Sequence, residues 1–516
     1  MFTLGDICRK GVRLSARTEA VVFEGARLTY AAFDGRVNRL ANALIASGGN
    51  RGDRVAVLAE NSHHYLEIYF GVAKSGRVTT PLNIRLSRRE LLQVLRDADV
   101  AAVFVGAGFE DTAKALRAEL PDAVRWISLE AEIAGWPYYE ALLEGQSSDD
   151  PQADGAEGDL AALIYTGGTT GLPKGVMLSH RNILSALSSV LLQCGFKSGD
   201  STCLPLPLFH VAFWPAFAHL MVGGRVVVLR RPEVKAICRA IQDERCTHIN
   251  AVPTLYGWMV DDPAVADFDL SSLRDMTYSG SPFPEEVLRR CIQKFGPIFS
   301  QGYGLTEAAP TATFLGREDH VLDGPRSRLL TSAGREMILN QVGVCGANGD
   351  LLPPGVAGEV VVRGPNVMLG YWNNPDLTRD RLRDGWLHTG DVGMLDDDGY
   401  LFLLDRKADM IVTGGENVYP SETEGVLHKH GAVKECAVVS APDPKWGERV
   451  HAVVVLKGGA EATEAELIAF CHEFLAGYKC PKKIEFWPEL PKSAVGKILR
   501  KDVKSVLWQG RSRSIA

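Results

Sequence analysis

Leu160-Ala161-Ala162-Leu163-Ile164-Tyr165-Thr166-Gly167-Gly168-Thr169-Thr170-Gly171-Leu172-Pro173-Lys174-Gly175 is an apolar run that breaks into a glycine- and threonine-rich turn. Its last eleven residues hold four glycines, three threonines and one lysine. The apolar run reads as a buried strand. Glycines let backbone N–H groups approach a bulky anion, and successive N–H groups in such a turn form an anion-binding nest. Threonine hydroxyls add donors and Lys174 adds charge, so the segment suits a polyphosphate. The competing reading is an ordinary flexible strand-to-helix loop. The coincidence of glycine, hydroxyl and lysine directly after a strand argues against it.

A Walker loop needs glycine just before its lysine and Ser or Thr just after. Here Pro173 precedes Lys174 and Gly175 follows, so kinase and GTPase readings fall. The segment instead resembles the signature loop of the adenylate-forming superfamily, which comprises acyl-CoA synthetases, luciferases and adenylation domains. That resemblance implies that Thr166, Gly168, Thr169, Thr170, Gly171 and Lys174 contact ATP. Thr169, Thr170 and Lys174 would hold its β- and γ-phosphates. Many members carry Ser where this chain has Gly167, and the glycine variant resembles fatty-acyl-CoA ligases.

On either side of this loop, helix and strand signals alternate. Tyr30, Phe33, Val37, Leu40 and Leu44 fall on one helical face, and 54–59 reads as a buried strand. A helix pattern follows over 62–74, Ser87-x-x-Glu90 is a capping box, and 100–105 is the next strand. Such alternation predicts a doubly wound α/β sheet. Residues 146–158 are polar and acidic and read as an exposed loop, and Ser179 caps a helix running to about Cys194. From about Gly343 the pattern shifts to shorter β-like pieces, including 358–363 and 399–404. Beyond Asp405 come helix signals at 420–430 and 463–475, the latter opened by Thr463-x-x-Glu466, and strand signals at 433–440 and 450–456. This tail of about 110 residues has the size of a domain. The expected fold is α/β: a large N-terminal domain (1–405) of doubly wound sheets plus a β-rich subdomain, then a small α+β domain (406–516).

A chain of 516 residues exceeds one ordinary core. With 46% hydrophobic and 23% charged residues it has the composition of a soluble globular protein. Its net charge of −7 argues against a nucleic-acid binder. The ten cysteines form no C-x-x-C and match no zinc spacing, which predicts reduced thiols in a cytoplasmic protein. The start of the chain lacks a basic segment followed by an apolar core, so no signal peptide is expected. The most apolar long stretch, 204–229, is interrupted by prolines, histidines and Gly223-Gly224. A membrane span needs about 20 clean apolar residues, so a buried sheet region is expected there instead.

Gln301-Gly302-Tyr303-Gly304-Leu305-Thr306-Glu307 places a flat ring between glycines, then a hydroxyl and a hard oxygen ligand for Mg²⁺. It resembles the superfamily's Tyr-Gly-x-Thr-Glu motif, which implies that Tyr303 stacks on adenine and Glu307 binds magnesium. Gly302 and Thr306 belong to the same stretch. In Trp386-Leu387-His388-Thr389-Gly390-Asp391 a single aspartate can accept from two vicinal hydroxyls. The resemblance makes Asp391 the ribose ligand and assigns His388 no role. Ser279-Gly280 resembles the adenine-side loop.

Asp405-Arg406-Lys407-Ala408-Asp409 resembles the superfamily's crossover between domains. Arg406 would meet the ribose and phosphate region. Ala408 stands where the hinge residue is commonly Asp or Lys. Gly414-Gly415 resembles the backbone lining the pantetheine tunnel, and Trp446 a residue near the CoA nucleotide. Leu206-Pro207-Leu208-Phe209-His210 resembles a segment that puts His210 where acyl pocket and thiol tunnel meet. The pairs His63-His64 and His428…His430 read as surface or cap residues.

Pro491-Lys492-Ser493-Ala494-Val495-Gly496-Lys497 resembles the catalytic-lysine motif. A charge bridging a carboxylate and an α-phosphate offsets their repulsion as the bond forms, which is often worth ~3 kcal/mol or more. The resemblance thus implies a two-step ligase using ATP, Mg²⁺ and coenzyme A. A carboxylate attacks the α-phosphate to give acyl-adenylate and pyrophosphate, then a thiol displaces AMP. The small domain would be mobile, bringing Lys497 for the first step and Gly414-Gly415 for the second. Medium- or long-chain fatty acids are the favoured substrates, with aromatic or hydroxycinnamic acids, or delivery to a carrier protein, as alternatives. A catalytically silent binding homologue is the reading from another class, and the intact Thr169, Lys174, Glu307, Asp391, Arg406 and Lys497 argue against it. A homodimer is expected from size and class.

Overall fold

The computed structural model describes residues 1–516 apart from 131, 167–172, 407–408, 414–415, 444–445, 493–497 and 509–516. Two large sheets dominate. One has nine strands, in the order Arg335–Glu336, Thr313–Leu315, Phe299–Tyr303, Asp275–Ser279, His248–Ala251, Ser201–Leu204, Arg225–Val228, Glu19–Phe23 and Ala26–Thr29. Its six central strands, Phe299–Tyr303 through Glu19–Phe23, run parallel. The other has seven, with Arg54–Leu58 and Val78–Pro81 at its centre and Leu160–Thr166 beside them.

Side-chain alternation explains the layering. In Arg54–Leu58, Val55 and Val57 join one core while Ala56 and Leu58 join another. In Arg225–Val228, Val226 and Val228 face that first core while Val227 faces a third. The shared core therefore lies between the two sheets. It is filled by the helices Tyr30–Ala46, His63–Lys74, His180–Cys194 and Trp214–Met221. Arg88–Asp97 and Glu110–Arg117 cover the outer face of the seven-stranded sheet. Val234–Glu244, Pro253–Asp261 and Glu285–Phe295 cover that of the nine-stranded one. Both sheets are thus buried on both faces, as parallel sheets require.

Local signals place many of these elements. Ser62, Ser87, Ser179 and Thr463 each accept a backbone N–H at a helix start. Such caps contribute about 1 kcal/mol each. The expected strand at 100–105 is Val100–Val105, and the helix capped by Ser179 ends at Cys194.

Three expectations change. The stretch 204–229 is not mainly sheet. Between Ser201–Leu204 and Arg225–Val228 lies the helix Trp214–Met221, buried at every residue. A helix apolar all round carries no amphipathic period, so its sequence does not reveal it. As argued from the sequence, the glycine loop is not an ordinary strand-to-helix connection. It joins Leu160–Thr166 to the antiparallel strand Lys174–Ser179, with Thr166 opposite Lys174. The acidic loop is not simply solvated, because Asp150 and Asp154 clasp Arg9, and Asp150 also binds the fully buried Lys74. Of the surface or cap reading of His63 and His64, the surface half fails for His64. They open the helix His63–Lys74, with His64 buried and 3.2 Å from Glu140.

A five-stranded sheet built from Gln341–Cys345, Gly358–Arg363, Trp386–Leu395, Leu382–Arg383 and Leu401–Arg406 forms the β-rich part. The next strand, Ile411–Thr413, belongs to a separate sheet with Glu416–Val418, Val433–Asp443, Gly447–Leu456 and Lys483–Phe486. Its two faces carry two small cores. Among the described residues, no helix is long and apolar enough to cross a membrane.

Candidate active site

Ligands of open α/β sheets bind beyond the carboxyl ends of the strands. At that end of the nine-stranded sheet, Ser279 pairs in register with Gly302, and Tyr303 follows. A Cβ at Gly302 would meet nothing within 4 Å, so this strand end is open. Gly304 is the opposite case. A Cβ there would lie 1.6 Å from the Pro310 carbonyl oxygen, which only glycine avoids.

Asp391 comes from a different sheet. In Trp386–Leu395, His388 pairs with Val361 and Val392 pairs with Glu359. Thr389, Gly390 and Asp391 therefore oppose Val360 alone and form a bulge. Bulges of this kind re-aim side chains near active sites. The Thr389 hydroxyl donates to the Val360 carbonyl at 2.8 Å and accepts the Asp391 N–H at 3.0 Å. Gly390 turns with φ +77° and donates its N–H to Glu359 at 3.2 Å. The bulge delivers Asp391 to Tyr303, whose hydroxyl donates to the carboxylate at 2.8 Å. Arg406 pairs in register with Asp391 across the neighbouring strand.

Thr306 and Glu307 lie on the short turn after Tyr303. The Tyr371 hydroxyl donates to Glu307 Oε1 at 2.7 Å. Burial, and then the adjoining carboxylate, push the Tyr371 phenol well above its usual range, so it stays protonated as a donor. Tyr371 in turn pairs with Val176 on the strand that begins at Lys174. Glu307 is thereby held beside the outgoing end of the glycine loop.

On the far side, the Ser279 hydroxyl donates to the side-chain Oδ1 of Asn250 at 3.3 Å. The Asn250 side-chain Nδ2, on a residue 2% exposed, has no hydrogen-bond partner among the described residues. His210 ends the extended segment before Val211–Phe213, its ring 4.6 Å from that of Phe209. Burial, helped by the positive charge of Arg85, lowers its pKa to about 4, so it is neutral at pH 7. Beside it opens a cavity of about 430 Å³ lined by Asn61, Arg85, Phe209, Arg230, Arg231 and Glu233, among others. Arg230 is paired with Glu24 and Glu130, and Arg231 with Glu60. Arg85 has no carboxylate partner among the described residues.

An open strand end, a tethered carboxylate on a bulge and a second carboxylate on the turn after Tyr303 are contributed and held by residues of three sheets. Family comparison agrees. Residues 9–372 match the model for the AMP-binding enzyme, and residues 422–497 the model for the AMP-binding enzyme C-terminal domain. The chain belongs to the AMP-binding enzyme family. Its class is that of the AMP-forming acyl-CoA synthetases, within the adenylate-forming superfamily.

This AMP-binding enzyme is 39% identical to a feruloyl-CoA synthase of Amycolatopsis sp., over 97% of its own length and 98% of the relative's. It is 36% identical to a long-chain-fatty-acid–CoA ligase of Mycobacterium tuberculosis, over 97% of each chain. Among solved structures, the amide bond synthetase of Marinactinospora thermotolerans superposes with a TM-score of 0.89 at 30% identity, covering 98% of this chain and 99% of that one.

Within the family frame, Tyr303, Asp391 and the backbone of Arg406 come together, as do Glu307 and the strand of Lys174. His210 stands instead with the arginine-lined cavity. Trp446 is exposed at the turn between Val433–Asp443 and Gly447–Leu456. Gly168, Thr169, Thr170, Gly171, Ala408, Gly414, Gly415 and Lys497 lie outside the described residues, as does the side chain of Arg406. Tyr371, Asn250 and Arg85 escaped the reading of the sequence. Each is a lone polar residue in an ordinary strand or loop, and only pairing across the sheets brings it to the site.

Proposed function

We propose that this enzyme joins an oxygen-substituted aromatic acid of the hydroxycinnamate kind to coenzyme A through an acyl-adenylate. The observation that carries the adenylating step is the bond from Tyr303 to Asp391. It sets a ribose acceptor beside an aromatic ring at an open strand end, and Glu307 and the glycine loop lie next to it. Tyr303 would stack on adenine, and Asp391 would accept from the ribose hydroxyls. Thr169, Thr170 and Lys174 would hold the departing phosphates.

Glu307 fits a magnesium ion. Tyr371 orients one carboxylate oxygen and leaves the other for a hard cation. Such an ion would screen phosphate charge, while Lys497 would bridge the carboxylate and the α-phosphate during attack. In this reading the domain after Asp405 then turns and presents Gly414-Gly415 to the thiol.

Coenzyme A as acceptor is supported by Arg85, a cavity-wall cation without a carboxylate partner among the described residues, which suits a phosphorylated thiol. Neutral His210 beside this cavity can orient the thiol or carbonyl without adding charge. Two observations support the aromatic acid. The feruloyl-CoA synthase is similar along nearly the whole chain. The Nδ2 of Asn250, beside Ser279 and unpaired among the described residues, offers a donor that a hydroxyl or methoxy oxygen satisfies and an alkyl chain does not. Gly167 speaks for fatty acids instead, and the similarity to the mycobacterial fatty-acid ligase makes them the second reading.

The test is kcat/KM over saturated acids from two to sixteen carbons, benzoates and hydroxycinnamates, repeated in Asn250→Leu. Hydroxycinnamates are expected to lead, and the variant to lose about tenfold on them alone. A clear lead for long alkyl acids, unaffected by the variant, establishes the second reading instead.

A further inference from the structure

Beneath the bulge that carries Asp391, three different donor atoms converge from three strands. Cys345 ends Gln341–Cys345 and sits directly opposite Glu359 in Gly358–Arg363. His388 on Trp386–Leu395 sits opposite Val361, one step along the same face of that strand. Cys345 Sγ lies 3.9 Å from His388 Nδ1, and His388 Nδ1 lies 3.4 Å from Glu359 Oε2. All three ligand atoms fall within 4.8 Å of one another. Cys345 and His388 are buried, and the Glu359 side chain is 12% exposed. No other His, Cys, Asp or Glu group of this compactness occurs among the described residues.

These separations can be compared with a metal's requirements. A tetrahedral zinc with ordinary bond lengths sets its nitrogen and oxygen ligands about 3.4 Å apart, and its sulfur and nitrogen ligands about 3.6 Å apart. The two separations from His388 Nδ1 match these spacings to within a few tenths of an ångström, and the Cys345–Glu359 pair, within 4.8 Å, closes by side-chain rotation. A thiolate, an imidazole and a carboxylate form a borderline-soft set that favours zinc over magnesium or calcium. The surroundings also suit it. Glu359 Oε1 accepts the Gly390 N–H, which orients Oε2 toward the other donors. One competitor is Arg383, whose guanidinium lies 3.9 Å from Oε2 but whose side chain is 49% exposed and can swing away.

We infer that Cys345, Glu359 and His388 form a binding site for zinc or a similar divalent transition metal, with a fourth position left to solvent. The site is separate from the magnesium carboxylate Glu307 and does not depend on which acid the enzyme activates. It ties three strands together immediately behind Asp391. A bound metal would therefore act as a clasp on the sheet that presents the ribose acceptor. The spacing of the ligands along the chain matches no zinc motif, because strand pairing rather than a local turn brings them together.

Cobalt(II) tests this on the reduced full-length protein, since thiolate ligation gives a charge-transfer band. The wild type should develop that band with saturation at one cobalt per chain. Cys345→Ser should abolish it, and Cys194→Ser should leave it unchanged. Glu359→Gln should retain the band and weaken cobalt binding at least tenfold, which separates loss of a ligand from loss of the fold. No band in the wild type, an undiminished band in Cys345→Ser, or unchanged affinity in Glu359→Gln overturns the inference.

Discussion

The Tyr303 hydroxyl donates to the Asp391 carboxylate at 2.8 Å, joining residues that come from two different sheets. One partner lies at the open carboxyl end of a parallel strand, and the other sits on a bulge of an antiparallel one. The bond aligns an aromatic face with a carboxylate, the two things an adenosine needs.

Asp391 and Tyr303 are therefore expected to separate in mutants. Hydrogen bonds to a charged group contribute roughly 1.5–3 kcal/mol each. Asp391→Ala should thus raise the KM for ATP by tenfold or more. Tyr303→Phe keeps the ring and loses only the orienting bond, so a rise of about threefold to fivefold is expected. Calorimetric titration with AMP checks both, and equal effects from the two would deny Asp391 a direct contact with the ribose.

Glu307 should control the metal requirement. Glu307→Gln is expected to lower kcat about a hundredfold and to shift the magnesium dependence to higher concentration. Tyr371→Phe removes only the hydrogen bond to Oε1 and should cost about tenfold or less. Magnesium titrations of initial rate decide this. A Glu307→Gln enzyme with the wild-type magnesium curve leaves the ion elsewhere.

Lys497 should act in only one half-reaction. Lys497→Ala is expected to lower adenylation at least a hundredfold and to leave thioester formation from supplied acyl-adenylate within a few-fold of wild type. Equal losses in both halves would refute the division of labour between Lys497 and Gly414-Gly415.

Buried imidazoles set the acid side of stability. Burial lowers the pKa of His180, His210, His219 and His320 from 6.5 to about 4, and that of His248 to about 2. Folding thus excludes protons that the unfolded chain binds, so stability is level above about pH 6.5 and falls as pH drops toward 4. Each such group contributes roughly 1–3 kcal/mol to that fall. Carboxylates act in a lower window. Glu19, held down to about 2 chiefly by its bond with Arg27, adds its loss only below about pH 4.5. Melting temperatures should therefore be flat from pH 8 to 7 and decline between 6.5 and 5. A flat profile through pH 5 contradicts the buried neutral state.

Legibility in the sequence followed the range of the signal. Ser87, Ser179 and Thr463 announced their helices because capping is settled within three residues. The amphipathic face of Tyr30, Phe33 and Leu40 was equally plain. Trp214–Met221 was hidden because a helix buried all round has no polar face to mark its period. In the site, Tyr303, Glu307 and Asp391 each stood in a short stretch whose resemblance carried a role. Tyr371 could not be found that way, since its tie to Glu307 depends on its pairing with Val176. Cys345, Glu359 and His388 were invisible for the same reason. The acid stayed open because the Asn250 side chain gains its proposed meaning only from its surroundings in the fold.

The central claim is that a carboxylic acid is activated as an adenylate before any thiol is engaged. Exchange of labelled pyrophosphate into ATP, measured with and without acid and in the absence of coenzyme A, tests it directly. The account predicts exchange that requires the acid and magnesium, needs no thiol, and gives way to one AMP per thioester when coenzyme A is added. Release of ADP and phosphate, or no exchange with any acid of the panel, contradicts it.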